Sequence, residues 1–301
     1  MPFCLHQSRA LTYNNLYAKI RSWGLTALII VANMSADQLN ELPFSQMDKE
    51  IIQAKNNSPV VYRYNSLDAL QFELDLRSNI VKAAKDLYAS KVDFAIFSKS
   101  RCNEVFWTRT PEGGFRLNRG VLPSDGIKDI YVNGRLYGFE CATAMVILLY
   151  KAVLDTIGED AFNTYFQNLL LYTWQYDEDL RLISVYNNQE AYLGDILYFT
   201  NPDYNPKTPE WQGENAVMLP DNLFYGHGIG IKTSEEMIAS LNRRRIPGSG
   251  VSAYLSDEVV HPDFEHIRKL AGNVNFPVPR EAFPRDVIVA RIGKSVYVEG
   301  A

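Results

Sequence analysis

In the segment Phe139-Glu140-Cys141-Ala142-Thr143-Ala144 a cysteine stands where a helix begins. Downstream, Met145 to Leu154 is apolar on nearly every face, and upstream Asn133-Gly134 and Gly138 are turn formers. This pattern predicts a helix that starts near Cys141 and runs into the core. Unpaired backbone N–H groups and the positive end of the helix dipole favour a thiolate at such a start. A lone cysteine can equally be a small buried apolar residue, so the nucleophile reading needs a base and a water-poor pocket. Two later segments offer the base. Trp211-Gln212-Gly213-Glu214-Asn215 sets a carboxylate after a glycine, in a loop leading into a strand, although Glu214 could be a solvated turn residue. Tyr225-Gly226-His227-Gly228-Ile229-Gly230 brackets a histidine with glycines inside a strand. Glycine in a strand marks close approach by another backbone or a ligand, but a hydrogen-bonded core histidine explains His227 as well. Cysteine at a helix start, followed by polar groups on later antiparallel strands, is the papain-like order.

These side chains need elements to hold them. Leu67, Leu70, Leu74, Val81, Ala84 and Tyr88 recur at helical spacing, with Asn65 or Ser66 as N-cap, and predict an amphipathic helix over 66–90. Val92–Phe97, Glu104–Thr108 and Gly114–Leu117 are short, β-prone and punctuated by turn signals, which reads as an antiparallel meander. The Cys141 helix should end at Gly158, and a second helix should cover 159–172. Strands are expected at Leu182–Tyr186, Ile196–Thr200, Ala216–Leu219 and Phe224–Ile231, then a helix at Glu235–Arg244. Val287–Ala290 and Ser295–Val298, around Gly293, suit a terminal hairpin. The domain plan is a mobile extension over 1–27, a catalytic domain over 28–270 and a C-terminal extension over 271–301.

Composition narrows the classes. The chain has 301 residues, 47% apolar and 22% charged, with a net charge of −5, so it carries no basic footprint for nucleic acid. Three cysteines without a CxxC pair argue against a disulfide framework or structural zinc and fit a reducing compartment. Leu25 to Ala32 follows Lys19 and Arg21, as a signal-peptide core would, but the run is short and its polar lead long, so a buried strand or short helix is the better reading. No stretch reaches the ~18 apolar residues that read as a membrane helix.

The same motifs resemble the small spore-coat transglutaminases of bacilli. The likeness rests on Phe139 to Ala144, Asp155-Thr156-Ile157-Gly158-Glu159-Asp160, Gly194-Asp195-Ile196-Leu197-Tyr198-Phe199, Trp211 to Asn215, His227 to Gly230, the Leu74–Ala84 helix and Ser252-Ala253-Tyr254-Leu255. It spans about residues 28 to 256 in one order. The resemblance implies an α+β, papain-like (NlpC/P60-type) core, with the helix-borne nucleophile packed on an antiparallel sheet. It implies protein-glutamine γ-glutamyltransferase activity: the Cys141 thiolate attacks a glutamine carboxamide, ammonia leaves, and a lysine ε-amine resolves the thioester to an isopeptide. It also implies a Cys141–Glu214 pair; beside it, Glu140 next to the nucleophile is a candidate substitute carboxylate, and His227 is assigned a supporting role, orienting or hydrogen-bonding the pair. No metal or organic cofactor is implied. The partners would be glutamine- and lysine-bearing coat proteins, with synthesis in the mother-cell cytoplasm and delivery to the spore coat.

Reference pKa values near 8.5 for Cys and 4.3 for Glu put about 5.7 kcal/mol against proton transfer to a carboxylate. A helix N-terminus offers up to ~2 kcal/mol, so Glu214 must be strongly desolvated for the pair to work. An ionised Glu140 would oppose it by raising the thiol pKa. Dryness also decides transfer over hydrolysis, and Trp174, Trp211 and Tyr176 could wall a narrow passage, or be core aromatics. Calcium, used by the large animal transglutaminases, has no support, because Asp177-Glu178-Asp179 lacks the D-x-[DN]-x-[DN]-G loop. The rivals are a papain-like cysteine peptidase or amidase using a Cys141–His227 pair, and a coat or scaffold protein without activity.

Overall fold

The computed structural model describes residues 29–272 and the backbone of the strands Val287–Ile292 and Ser295–Gly300; the extension expected at 1–27 lies outside the described residues. The chain enters through β1 (Ile29–Val31), α1 (Ala36–Asn40), α2 (Gln46–Asn57) and β2 (Tyr62–Tyr64), which pairs parallel with β1. Part of the apolar run 25–32 is thus a strand, with Ile29 and Val31 buried. Ser35 and Ser45 close capping boxes on α1 and α2. The predicted amphipathic helix is α3 (Leu67–Ala89), capped by the Ser66 hydroxyl, which accepts from the Ala69 N–H. Leu70, Leu74, Val81 and Ala84 face the core, whereas Tyr88 at the end of the stripe is exposed.

The expected three-strand meander is replaced by two separate pairings. After β3 (Asp93–Phe94) the chain forms a hairpin of β4 (Trp107–Arg109) and β5 (Phe115–Leu117). Helix α4 (Pro123–Val132), started by a proline in its first turn, precedes β6 (Gly138–Phe139), and β3 pairs parallel with β6. A pairing partner some forty-five positions away leaves no local trace in sequence. Cys141 is the first residue of α5 (Cys141–Ile157), whose apolar residues are buried from Ala144 to Leu154, so it is the central helix of the domain. α5 packs on α3 and on the sheet. The second predicted helix is shorter than expected: α6 (Glu159–Tyr165) stops at Phe166, and Leu170–Leu171 forms β7 against β5.

The main sheet comprises β8 (Leu182–Tyr186), β9 (Ile196–Thr200), β10 (Gly213–Leu219), β11 (Leu223–Gly226), β12 (Gly230–Thr233) and, beyond α7 (Ser234–Asn242), β13 (Tyr254–Pro262). It is antiparallel in the order β12-β11-β10-β9-β13-β8, so β13 inserts between β9 and β8 out of chain order. The run 224–231 is therefore two strands, and His227 sits in the turn between them rather than inside a strand. α8 (Phe264–Gly272) packs against α3 and α5, and β14 (Val287–Ile292) pairs antiparallel with β15 (Ser295–Gly300).

A buried ionic network ties the helices to this sheet. Lys55 of α2 and Arg77 of α3 both reach Glu73 Oε1, at 2.6 and 2.8 Å, and Arg77 also reaches Asp195 Oδ1 at 2.6 Å. The two cations hold the Glu73 carboxyl down at about 2 despite its burial. Two acids balance two bases, so removing one leaves an uncompensated buried charge. Arg77→Ala is therefore expected to cost about 3–5 kcal/mol of stability in urea unfolding. A loss below ~1 kcal/mol would show that the network does not hold the helices on the sheet.

Candidate active site

Strand alternation builds the floor of a cavity of about 900 Å³. Leu182 and Ser184 of β8, Glu258 and Val260 of β13, Ile196 and Tyr198 of β9, and Gly213 and Asn215 of β10 present one face to it. Cys141 and Glu140 stand at its inner wall, and Ile96, Phe97, Trp174 and Tyr176 line it further out. The surroundings are largely apolar, as a reactive acyl intermediate requires.

Glu140 is the N-cap of α5. Its carboxylate accepts from the Ala142 and Thr143 N–H groups at 3.0 and 3.3 Å, and from the Cys141 thiol at 3.3 Å. The helix start thus spends two of its N–H groups on a carboxylate, not on the sulfur. Burial, then Glu214, then Glu140 push the Cys141 thiol well above its usual value. The thiolate-favouring environment expected from the helix dipole is overridden, and the resting group is a thiol. Opposite it, Asn215 Nδ2 donates to Sγ at 3.7 Å.

Glu214 is not a solvated turn residue. It lies inside β10 and is fully buried; its Oε1 accepts from the Gly228 N–H at 3.0 Å, and Oε2 has no hydrogen-bond partner. Burial lifts its carboxyl to about 8, against the pull of the Gly228 N–H. The desolvation demanded by the pair is present, yet the thiol is raised too, so the proton has to move as the carbon–sulfur bond forms. The hydrogen-bond partner of the thiol is Glu140; Glu214 acts on it through its field. Two glycines make room for Glu214. A Cβ on Gly226 would lie 2.7 Å from its Cγ, and one on Gly228 would lie 3.1 Å from Oε2. Gly226→Ala is expected to displace the carboxylate and lower kcat by ~10-fold or more while the protein stays folded. Unchanged turnover would show that the position of Glu214 is not critical.

His227 does not form the alternative Cys–His pair. Its Nε2 lies 3.2 and 3.1 Å from the carbonyl oxygens of Asp93 and Phe139, so Nε2 carries the proton and donates. Its Nδ1 lies 3.1 Å from the Tyr225 hydroxyl, which then donates to it. Both nitrogens are occupied, the ring stacks on Phe139, and burial holds its pKa down at about 4. His227 is a neutral clip that joins the β11–β12 turn to the β3–β6 pair, immediately before the nucleophile.

The two tryptophans occupy different places. Trp174 lines the cavity, as expected for a passage wall. Trp211 is not among its lining residues: it stacks on Phe94 at 5.3 Å, carries the Arg244 guanidinium on its ring at 3.7 Å, and borders Gly228 beside Glu214. Trp211 thus lies on the Gly228 side of the carboxylate, outside the cavity that Trp174 lines. Thr173, before Trp174, has a φ of 49°, a strained value for a β-branched residue, and its N–H donates to the Thr143 hydroxyl at 3.0 Å. Thr143 lies 3.4 Å from Glu140, so the Trp174 turn is tied to the cap of the nucleophile helix. Asn215, Tyr198 and Thr143 lay inside quoted motifs without being singled out. For the first two, alternation along β9 and β10 was the available signal.

A helix-borne thiol between a capping carboxylate and an amide donor, with a desolvated acid behind it, defines a cysteine-nucleophile site suited to acyl transfer. Residues 28–271 match the family described as protein-glutamine gamma-glutamyltransferase, and the chain belongs to that family. The match runs through β13 and α8, past residue 256 where the motif resemblance stops. A protein-glutamine gamma-glutamyltransferase of Bacillus cereus (strain B4264) is 44% identical over 258 residues, covering 85% of this chain and 93% of that one. One of Bacillus mycoides (strain KBAB4) is 45% identical over 259 residues with the same coverage. Among solved structures, a transglutaminase from Geobacillus stearothermophilus (without C-terminal extension) aligns with a TM-score of 0.65 at 51% identity, covering 68% of this chain and 98% of that one.

Proposed function

We propose that this chain is a protein-glutamine γ-glutamyltransferase with a papain-like, NlpC/P60-type core, which forms ε-(γ-glutamyl)lysine crosslinks between coat proteins of the spore after synthesis in the mother cell. The observation that carries this reading is Glu214, fully buried with an unpartnered oxygen and a pKa of about 8, in the field of the half-buried Cys141 thiol that lines the cavity. An acid/base poised near neutrality is what a reaction with two proton transfers needs.

Acylation starts when Cys141 Sγ attacks the glutamine carboxamide carbon and its proton passes to a carboxylate. Asn215 Nδ2 and the Cys141 N–H, which Glu140 leaves unused, are the donors for the developing oxyanion. Glu214 returns the proton to the departing nitrogen, ammonia leaves, and a thioester remains. A lysine ε-amine then attacks the thioester carbon, and Glu214 takes its proton and passes it to the sulfur as the C–S bond breaks, which restores the thiol and leaves an isopeptide.

The test couples two readouts on one sample: ammonia release from a glutamine-bearing protein, and incorporation of a labelled primary amine. Both are expected in stoichiometric ratio at saturating amine. Ammonia release without incorporation would make the protein a hydrolase. Activity is expected to be the same with and without a chelator, since the acidic run at 177–179 lacks the calcium-loop pattern. Inhibition reversed by calcium would overturn that.

A further inference from the structure

The cavity carries a carboxylate that the mechanism above does not use. Glu258 lies on the floor, partly buried, next to Tyr198 and Val260. Its carboxylate has no hydrogen-bond or ion-pair partner among the described residues. Its place follows from a defect in the sheet. Leu255 pairs with Phe199 and Val259 with Leu197, so Ser256, Asp257 and Glu258 stand against Tyr198 alone. Such a bulge re-aims a side chain, and bulges recur beside active sites. On the other side of Tyr198, in register, is Asn215, the residue that touches the thiol.

The other charged groups lining the cavity are Glu140, Lys207 and Glu210. Glu140 is committed to the helix cap, and Lys207 is exposed with Glu210 three positions on, in the same loop. Burial, then the fields of Cys141, Glu214 and Glu258, push the Tyr198 hydroxyl up to about 12. Register sets Glu258 and Asn215 on opposite sides of Tyr198, and Asn215 touches the thiol, so Glu258 stands near the reacting centre. The proposed reaction brings two side chains to this centre, a neutral carboxamide and an amine that is cationic in water. Only the second gains from an unpaired carboxylate in a largely apolar cavity.

We propose that Glu258 is the acceptor-recognition residue: its unpaired carboxylate, set beside Tyr198 by the bulge in β13, binds the ε-ammonium group of the incoming lysine and so favours amine over water at the thioester. The inference rests on the transglutaminase reading. Glu258 selects the acceptor, while removal of the amine proton is left to Glu214, which stands in the field of the Cys141 thiol.

The test compares a cationic acceptor, a lysine peptide, with hydroxylamine, which is uncharged at neutral pH, on the same glutamine protein. In Glu258→Gln the KM for the lysine peptide is expected to rise about tenfold relative to that for hydroxylamine, with hydrolysis gaining on transfer at fixed lysine. Glu258→Lys should widen the ratio further, and Glu258→Asp should restore most of it. The hydroxylamine arm reports whether each variant is folded. An unchanged ratio of the two KM values in both the Gln and Lys variants, with the wild type transferring normally, overturns the role of Glu258 alone. A wild type that releases ammonia but joins neither nucleophile overturns the transglutaminase reading and this inference with it.

Discussion

Cys141→Ala is expected to reduce both ammonia release and amine incorporation below detection, while Cys102→Ala retains most of each. The thioester forms on sulfur, and Cys141 alone of the two described cysteines faces the cavity. The half-buried Cys102 thiol points to the Trp107 carbonyl at 3.6 Å, away from the cavity, and burial raises it to about 11, so it is a poor nucleophile. The resting state makes a further demand. Glu214 and Glu140 both raise the Cys141 pKa, so alkylation of the wild type at neutral pH should be slow and should rise with pH. Above about pH 8, where Glu214 is ionised, Glu214→Gln removes one of those charges and is expected to speed alkylation, while turnover slows. Parallel changes in both would mean that the enzyme works from a preformed thiolate. Substantial crosslinking by Cys141→Ala would remove the centre of the proposed mechanism.

Glu214→Gln is expected to lower kcat by ~10²–10⁴-fold, with the residue supplied by Glu140 at 3.3 Å from the sulfur. In the wild type, kcat/KM for the glutamine substrate should climb with pH up to about 8, as Glu214 ionises and becomes able to accept the thiol proton. That limb should vanish in the variant. Stability should move the other way. An unfolded glutamate ionises near 4.3, whereas folded Glu214 keeps its proton to about 8. Between those values the unfolded state has lost a proton that the native state retains, so rising pH costs stability, and the cost is complete above the native pKa. Glutamine keeps the acceptor for the Gly228 N–H and carries no charge. The melting temperature of the variant should match the wild type near pH 4 and exceed it by ~10–20 °C above pH 8, for about 5 kcal/mol recovered over that pKa difference in a domain of this size. A lower melting temperature at high pH would show that the ionised carboxylate is stabilised in the fold, against the burial argument. A stability gain paired with lost activity is the signature of a group kept for chemistry.

Local pattern carried a good part of this protein. Turn formers before a continuous apolar run marked the start of α5 at Cys141, because a helix beginning there is the way to bury that run after a loop. Helical spacing in 67–88 gave α3, and alternating β-prone runs gave β8 and β9 with their observed ends. Motif order across the chain pointed to the transglutaminase family. What tertiary structure decided are the properties that depend on distant partners. Strand β3 pairs with β6 and not with its neighbour, and β13 enters the sheet between β9 and β8, because pairing is settled by packing across the chain and not by periodicity. His227 looked like a base by its residue type. Carbonyls from Asp93 and Phe139 and the hydroxyl of Tyr225 occupy both ring nitrogens and make it a clip. Glu140 was legible as a neighbour of the nucleophile, but its capture of the helix N–H groups reverses the dipole argument for a thiolate. Glu214 was legible as a carboxylate after a glycine. Its pKa is set by the wall around it, Gly226, Gly228, Trp211 and Phe94, which converge from separate elements and exclude the water that would keep it acidic.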